Sequence, residues 1–116
     1  MNGIKDIWFK TNLDLDDLAK KLNFEIEEFD YENVYEWVIA DIDGVKIDIA
    51  RNHTEKRSQT FTSIFRIEPH KADFSQELLN YIISKLQKID ITPIYTGESW
   101  FDKNDEFKYK LLKTIE

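Results

Sequence analysis

The side chains of this 116-residue chain that exchange protons near neutral pH are its two histidines. His53 and His70 both fall in predicted loops, and each has a lysine or arginine close by in the sequence. No segment resembles the sharp strand-to-helix turn that carries a catalytic serine. We therefore expect two solvated loop histidines and no catalysis by this chain.

The carboxylates around Gly44 partly resemble a calcium-binding loop. Asp41, Asp43 and Asp48 would supply the oxygens, but that loop needs glycine at its sixth position and glutamate at its twelfth. Counting from Asp41, the glycine falls fourth and Asn52 stands twelfth. A hairpin turn accounts for the same residues, and three glycines in the chain are too few for a glycine-rich phosphate loop. We expect neither metal nor cofactor.

Residues 25–37, EIEEFDYENVYEW, hold six carboxylates and four aromatic rings without one positive charge. The acidity is regional, because residues 13–43 carry eleven acids against two lysines and the remaining residues carry a net charge of +2. The total of −7 argues against a general affinity for nucleic acid or anionic membrane. The basic segment 51–57 is interpreted as a solvated loop rather than a phosphate-binding one.

Carboxylates around large rings predict a protein-binding surface with aromatic anchors and an acidic surround. An opposite field on the partner would speed association and penalise wrong partners. The residues predicted to bind this partner are Asp14, Asp16, Asp17, Glu25, Glu27, Glu28, Asp30, Tyr31, Glu32, Tyr35, Glu36 and Trp37.

Several elements must position these side chains in the first half of the chain. Residues 7–11 predict a strand, and the apolar spacing of residues 14–23 predicts a helix that Asp14 caps. Residues 23–29 then favour a short edge strand or an extended loop. The strongest hairpin pattern lies at 34–50, where Asp43-Gly44 supplies a type I′ turn and six apolar side chains share one face. These six are Val38, Ala40, Ile42, Val45, Ile47 and Ile49.

The second half predicts a strand at 61–67, a long helix and another strand. Asp73 with Gln76 indicates a capping box for a helix that runs to about Ile89. Pro93 interrupts the strand at 91–97, which places that strand at a sheet edge. The last segment alternates like a strand but also fits a helix, and its early acids and late lysines favour the helix.

The element order is therefore β-α-(β)-β-β-β-α-β-(α) in one domain that spans 1–116. We predict an α+β fold with a mostly antiparallel sheet of four to six strands and two main helices on one face. The order also allows a split-βαβ arrangement. The chain has no cysteine, no signal-peptide pattern and no window near the ~18 apolar residues of a membrane span. We expect a soluble cytoplasmic protein.

The segments IWFKTNLDLDDLAKKL and YENVYEWVIADIDGVKIDIARNHT, in a small acidic α+β domain, resemble the immunity proteins of bacterial toxin–immunity systems. These include the partners of contact-dependent growth inhibition toxins. The resemblance lies in size, element order and acidity over most of the chain. It implies neutralisation of one toxin domain by tight stoichiometric binding.

Two alternatives stay open from the sequence. A DNA-mimicking inhibitor would carry acids over much of its surface, whereas residues 44–116 are slightly basic. A small ligand-binding domain or enzyme would need a concave pocket with a perturbed carboxylate or histidine.

Overall fold

The structure is a computed structural model that describes residues 3–116. It contains seven strands, two α-helices and a single 3-10 turn at Arg57–Gln59. In chain order the elements are β1 (Asp6–Phe9), α1 (Leu15–Lys21), β2 (Glu25–Glu32), β3 (Tyr35–Ile42), β4 (Val45–Asn52), β5 (Thr62–Arg66), α2 (Gln76–Lys88), β6 (Ile94–Phe101) and β7 (Phe107–Ile115).

The seven strands form one antiparallel sheet in the order β2-β3-β4-β5-β1-β6-β7. The predicted α+β class is confirmed, but the sheet has seven strands rather than four to six. Strands β5 and β6 are both antiparallel to β1, which lies between them, so β5 and β6 are parallel to each other. Helix α2 connects them, and this crossover is a split-βαβ unit.

The β3–β4 hairpin has the predicted register, with Ile42 opposite Val45. Its turn residues Asp43 and Gly44 have φ values of 51° and 86°, as a type I′ turn requires. The Asp41 carboxylate closes the turn by accepting a hydrogen bond from the Gly44 amide at 2.8 Å. Asp41 and Asp43 thus act in the turn, whereas Asp48 lies within β4.

Both helices pack on one face of the sheet, here called the helix face. Leu15 and Leu18 of α1 and Ile82 and Leu86 of α2 lie in one buried cluster with alternate residues of the central strands. These strand residues are Ile7, Phe9, Val38, Ala40, Ile47, Ile49, Ile64 and Ile94. Because successive side chains of a strand point to opposite faces, the residues between them lie on the other side, which we call the open face.

The end of the chain forms a strand, contrary to the expected helix. Strand β7 pairs with β6 along its length, and it carries a register irregularity opposite Thr96 and Gly97. This irregularity breaks the alternation of apolar residues at Leu112, which is why the sequence also fitted a helix. The prediction that the strand after Pro93 lies at the sheet edge is also wrong, because β7 covers it.

The helix starts differ from the predicted ones in their caps. Asp14 occupies the N-cap position of α1, but its side chain makes no capping hydrogen bond and instead pairs with Arg57. Helix α2 is capped by Ser75, whose hydroxyl accepts a hydrogen bond from the Leu78 amide at 3.1 Å. The expected cap Asp73 forms an ion pair with Lys5 at 2.6 Å.

Candidate functional site

The open face carries a row of directly paired residues that crosses six strands. From the β2 edge inward, the row consists of Asp30, Trp37, Ala50, Ser63, Trp8 and Tyr95. Ala50 and Ser63 are small, so a shallow trough separates the two tryptophans, whose strands are three steps or ~14 Å apart. Neither helix packs against this face, so the trough is open to a partner.

An aromatic groove of about 540 Å³ lies on the β7 side of this trough. The lining residues are Trp8, Phe61, Ser63, Tyr95, Phe107, Tyr109 and Leu111. Phe61 meets Tyr95 edge to face with 5.6 Å between ring centroids, and Trp8 meets Tyr109 in the same way at 6.2 Å. The Lys10 ammonium lies 4.8 Å from the centroid of the Phe61 ring. Because rings and a leucine dominate the lining, the groove suits apolar or planar groups.

Gly97 allows the groove to form. It lies on the open face opposite Leu111, where a Cβ atom would come 2.0 Å from the Lys110 carbonyl oxygen. The same atom would come 3.0 Å from the Trp8 ring. The missing side chain therefore lets β7 approach β6 and leaves room for the indole.

Three carboxylates border the other side of the trough and form what we call the acidic strip: Glu28, Asp30 and Glu32. All three lie on the open face, because they are opposite Ile39, Trp37 and Tyr35. Their side chains are exposed. The Trp37 indole donates a hydrogen bond to Glu28 at 3.3 Å. The acidic strip therefore adjoins the aromatic side chain that bounds the trough.

The twelve residues predicted to bind a partner do not all lie on one face. Seven share the open face or its β2 end: Glu25, Glu27, Glu28, Asp30, Glu32, Tyr35 and Trp37. Five lie on the helix side: Asp14, Asp16, Asp17, Tyr31 and Glu36. Glu27 is itself paired with Lys46, so its charge is balanced within the protein.

Glu36 has an internal role. Its carboxylate accepts a hydrogen bond from the Arg51 guanidinium at 2.7 Å, and the Arg51 side chain is 2% exposed. Arg51 also donates to the Leu13 carbonyl oxygen at 2.8 Å, which ties β4 to the segment before α1. Glu36 thus neutralises a buried cation.

Asp14, Asp16 and Asp17 bring carboxylate oxygens within 4.8 Å of one another at the start of α1. Two of them are exposed, and Asp14 pairs with Arg57. Carboxylates in the first turn also interact favourably with the helix dipole. These contacts account for the cluster without a cation.

A half-buried carboxylate, Asp48, and a buried one, Asp6, lie on the open face between the acidic strip and the groove. Burial raises the pKa of Asp48 to about 6, with the charge of Glu28 as the second cause. Burial also raises the pKa of Asp6, although Lys71 at 3.4 Å and a hydrogen bond of 2.8 Å from Ser99 oppose the shift. Neither carboxylate lines the groove.

The two histidines have structural contacts. His53 Nε2 lies 2.8 Å from the Asn33 carbonyl oxygen, and the ring of Tyr31 meets its imidazole edge to face. The His70 ring meets Phe65 at 5.8 Å. Both histidines are exposed, and the residues that line the groove include no histidine.

The sequence missed the groove residues as parts of a site. Trp8, Tyr95 and Tyr109 belong to three separate strands that become neighbours only through the order β1-β6-β7. One signal in the sequence could have found them, namely the alternation of Phe107, Tyr109 and Leu111. These side chains are exposed, and exposed apolar side chains on one face of an edge strand indicate a binding surface.

Comparison with known proteins found no family model, no curated protein and no solved structure that matches this chain. Neither helix of the described residues has the length and apolar character needed to cross a membrane.

Proposed function

We propose that this protein is an inhibitor of the immunity-protein type, which neutralises a basic toxin domain by binding it through the open face. One observation supports this most directly: carboxylates and large rings share a face that neither helix covers. The acidic strip adjoins Trp37, the trough follows, and Trp8 begins the aromatic groove.

The combination of groups favours a protein as the partner. Aromatic side chains at the centre of an interface supply most of its binding free energy, and a polar surround excludes water from them. Four aromatic side chains of this face are each about half or more exposed: Tyr35, Phe61, Phe107 and Tyr109. A partner that covers them would bury much apolar surface, and this burial favours binding. The rings that line the groove form a contiguous apolar patch, and such a patch on a small domain typically marks an interaction site.

The charge of the acidic strip selects a basic partner. Its three exposed carboxylates lie beside one another along β2, where like charges reinforce the local field. The other edge strand, β7, carries lysines and no acid. Acids confined to one end of the face are a weaker match to a DNA mimic, which would need carboxylates spaced like phosphates along its length.

The test is capture of the partner by immobilised protein, followed by reconstitution of the complex from purified components. Two variants with the same net charge are compared: Asp30→Lys with Glu32→Lys on the open face, and Asp16→Lys with Asp17→Lys on the helix side. We expect a basic protein that forms a one-to-one complex with the wild type and the helix-side variant. The open-face variant should bind it at least about tenfold more weakly, since rim charges act mainly on the association rate.

Circular dichroism must first show that both variants are folded. Equal loss of the partner from both variants would mean that net charge rather than the open face governs binding. If both variants retain the partner, the acidic strip is not part of the interface. A captured protein whose activity is unchanged in the complex would contradict inhibition.

The groove itself favours a second candidate function, the binding of a planar apolar ligand. Its volume of about 540 Å³ lies in the range of small-molecule sites. Titration with a naphthalene-type fluorescent probe should quench the emission of Trp8 if the groove binds such groups. The Trp8→Phe variant should not show this quenching. If the probe leaves the emission of the wild type unchanged, binding of a planar apolar ligand in the groove is excluded.

A further inference from the structure

The sheet is open, and its two edge strands are β2 and β7. Within the described part of the chain, each has a pairing strand on one side only. All residues of β2 except Ile26, and all of β7 except Ile115, are exposed. Each edge therefore presents a row of backbone N–H and C=O groups on which another strand can pair.

The two edges carry opposite charge. Strand β2 contains five acids and no base, whereas β7 contains three lysines and no acid: Lys108, Lys110 and Lys113. Lys108 has an ion pair with Glu106 at 3.2 Å, and neither Lys110 nor Lys113 has an ion pair among residues 3–116. Like charges directly opposite each other destabilise a strand pair. Pairing of β2 with β2, or of β7 with β7, is therefore disfavoured, and pairing of β2 with β7 is not.

The side chains of the two edges also match in their alternation. On β2 the acids Glu28 and Asp30 lie on the open face, while Phe29 and Tyr31 lie on the helix face. On β7 the assignment is reversed. Phe107, Tyr109 and Leu111 lie on the open face, while Lys108 and Lys110 lie on the helix face.

The sheet order determines how a second copy must be oriented for this match. Six antiparallel steps separate β2 from β7, so within one copy these two strands are parallel. A second copy that pairs its β2 antiparallel to the β7 of the first must be turned over, which brings its open face beside the helix face of the first. In that orientation acids of one copy face lysines of the other, and rings face rings.

One register satisfies four consecutive pairs. Glu28 stands opposite Lys110 and Asp30 opposite Lys108 on one side of the joined sheet. On the other side Phe29 stands opposite Tyr109, and Tyr31 opposite Phe107. Opposite-charge pairs and aromatic pairs are both favourable across antiparallel strands.

We propose that copies of this protein associate edge to edge, with β2 of one copy paired antiparallel to β7 of the next. The contact is heterologous, so each added copy leaves a free β2 at one end and a free β7 at the other. Growth is therefore not limited to a dimer. The acidic strip lies at this contact, so self-association and binding of a basic partner compete for β2.

Sedimentation velocity of the purified full chain, without any partner, tests the proposal. A single edge contact is at the small end of specific interfaces, so we expect a dissociation constant of roughly 10–100 µM at low salt. The average mass should rise beyond that of a dimer with concentration, and ~0.5 M NaCl should weaken association because it screens exposed charges.

Charge reversal on each edge gives a reciprocal test. Lys108→Glu with Lys110→Glu makes both edges acidic, and Glu28→Lys with Asp30→Lys adds lysines to the acidic edge. Each variant alone should associate about tenfold or more weakly than the wild type, since two favourable pairs become like-charge pairs. An equimolar mixture should regain association, because the new lysines on β2 of one variant face the new glutamates on β7 of the other.

Rescue in the mixture cannot arise from misfolded variants, so it separates pairing from loss of fold. Wild type that stays monomeric up to ~1 mM at low salt would overturn the proposal, because even weak specific interfaces associate there. So would growth that stops at a dimer, or a mixture that stays monomeric. None of these outcomes depends on the inhibitor function, since no partner is present.

Discussion

Glu36 and Arg51 meet at 2.7 Å on the helix face, although Glu36 lies in the acidic segment whose neighbours project from the open face. The pair joins β3 to β4, and the Arg51 side chain is almost completely buried. The acidity of residues 25–37 therefore has more than one role. Glu36 balances a buried cation and Glu27 pairs with Lys46, while the acidic strip has no cationic partner among residues 3–116.

Glu36→Gln should destabilise the protein, because the buried Arg51 would lose its counter-charge. We expect the free energy of unfolding to fall by about 2 kcal/mol, since uncompensated buried charges are costly and the glutamine can still accept one hydrogen bond. Urea denaturation measures the change. The control Glu32→Gln alters an exposed residue of the same strand pair and should shift stability by less than about 0.5 kcal/mol. Equal effects of the two variants would contradict the assigned role.

Ser75→Ala should cost about 1 kcal/mol, because the Ser75 hydroxyl satisfies the otherwise unpaired Leu78 amide at the start of α2. Asp14→Ala removes the residue at the equivalent position of α1, where no side-chain cap is present. Its effect should stay within about 0.5 kcal/mol, since the exposed ion pair with Arg57 contributes little. Thermal unfolding of both variants compares them, and a larger loss for Asp14→Ala would reverse the assignment.

Local signals in the sequence were sufficient for the hairpin and for the existence of both helices. Asp43-Gly44 requires two positive φ angles, and alternation from Val38 to Ile49 then determines which side chains are buried. The cap of α2 was misassigned because Asp73 and Ser75 are both good N-cap residues. Only the tertiary contact of Asp73 with Lys5 distinguishes them.

The aromatic groove depends on strand order, which local patterns do not encode. The acids of β2 were predictable as a surface because they are contiguous in sequence. Trp8, Tyr95 and Tyr109 come together only when β1 inserts between β5 and β6 and when β7 adds to the edge. The first event pairs segments that are distant in the chain, whereas β6 and β7 are joined by the five residues 102–106. The irregularity near Leu112 also concealed β7 itself.

Gly97→Ala should destabilise the protein by about 2–3 kcal/mol, because its methyl group would overlap the Lys110 carbonyl oxygen and press on Trp8. Strand β7 would have to move away from β6, so the indole emission should also shift to longer wavelength. The matched control is Gly44→Ala. It meets no atom within 4 Å but has a φ of +86°, so it should cost about 1 kcal/mol and leave the emission unchanged. Unaltered emission of Gly97→Ala would show that β7 tolerates the methyl group.

Asp48 should make stability depend on pH in the direction opposite to that of a salt-bridged acid. Its pKa is raised to about 6 by burial between Ile39 and Phe65 and by the charge of Glu28. Among the described residues its Oδ1 atom has no hydrogen-bond partner. Between the unfolded pKa near 4 and the folded pKa near 6, the folded state binds more protons. The contribution of Asp48 to the free energy of unfolding therefore decreases as the pH rises through this window.

Asp48→Asn removes this dependence while keeping the shape of the side chain. Relative to the wild type, the variant should gain up to about 3 kcal/mol in the free energy of unfolding as the pH rises from ~4 to above ~6. Urea denaturation at several pH values measures the difference. Glu28→Gln serves as the second variant, because loss of its charge should lower the pKa of Asp48 and shift the same change to lower pH. A stability difference that stays constant with pH would mean that the Asp48 carboxylate is solvated and titrates as an ordinary acid.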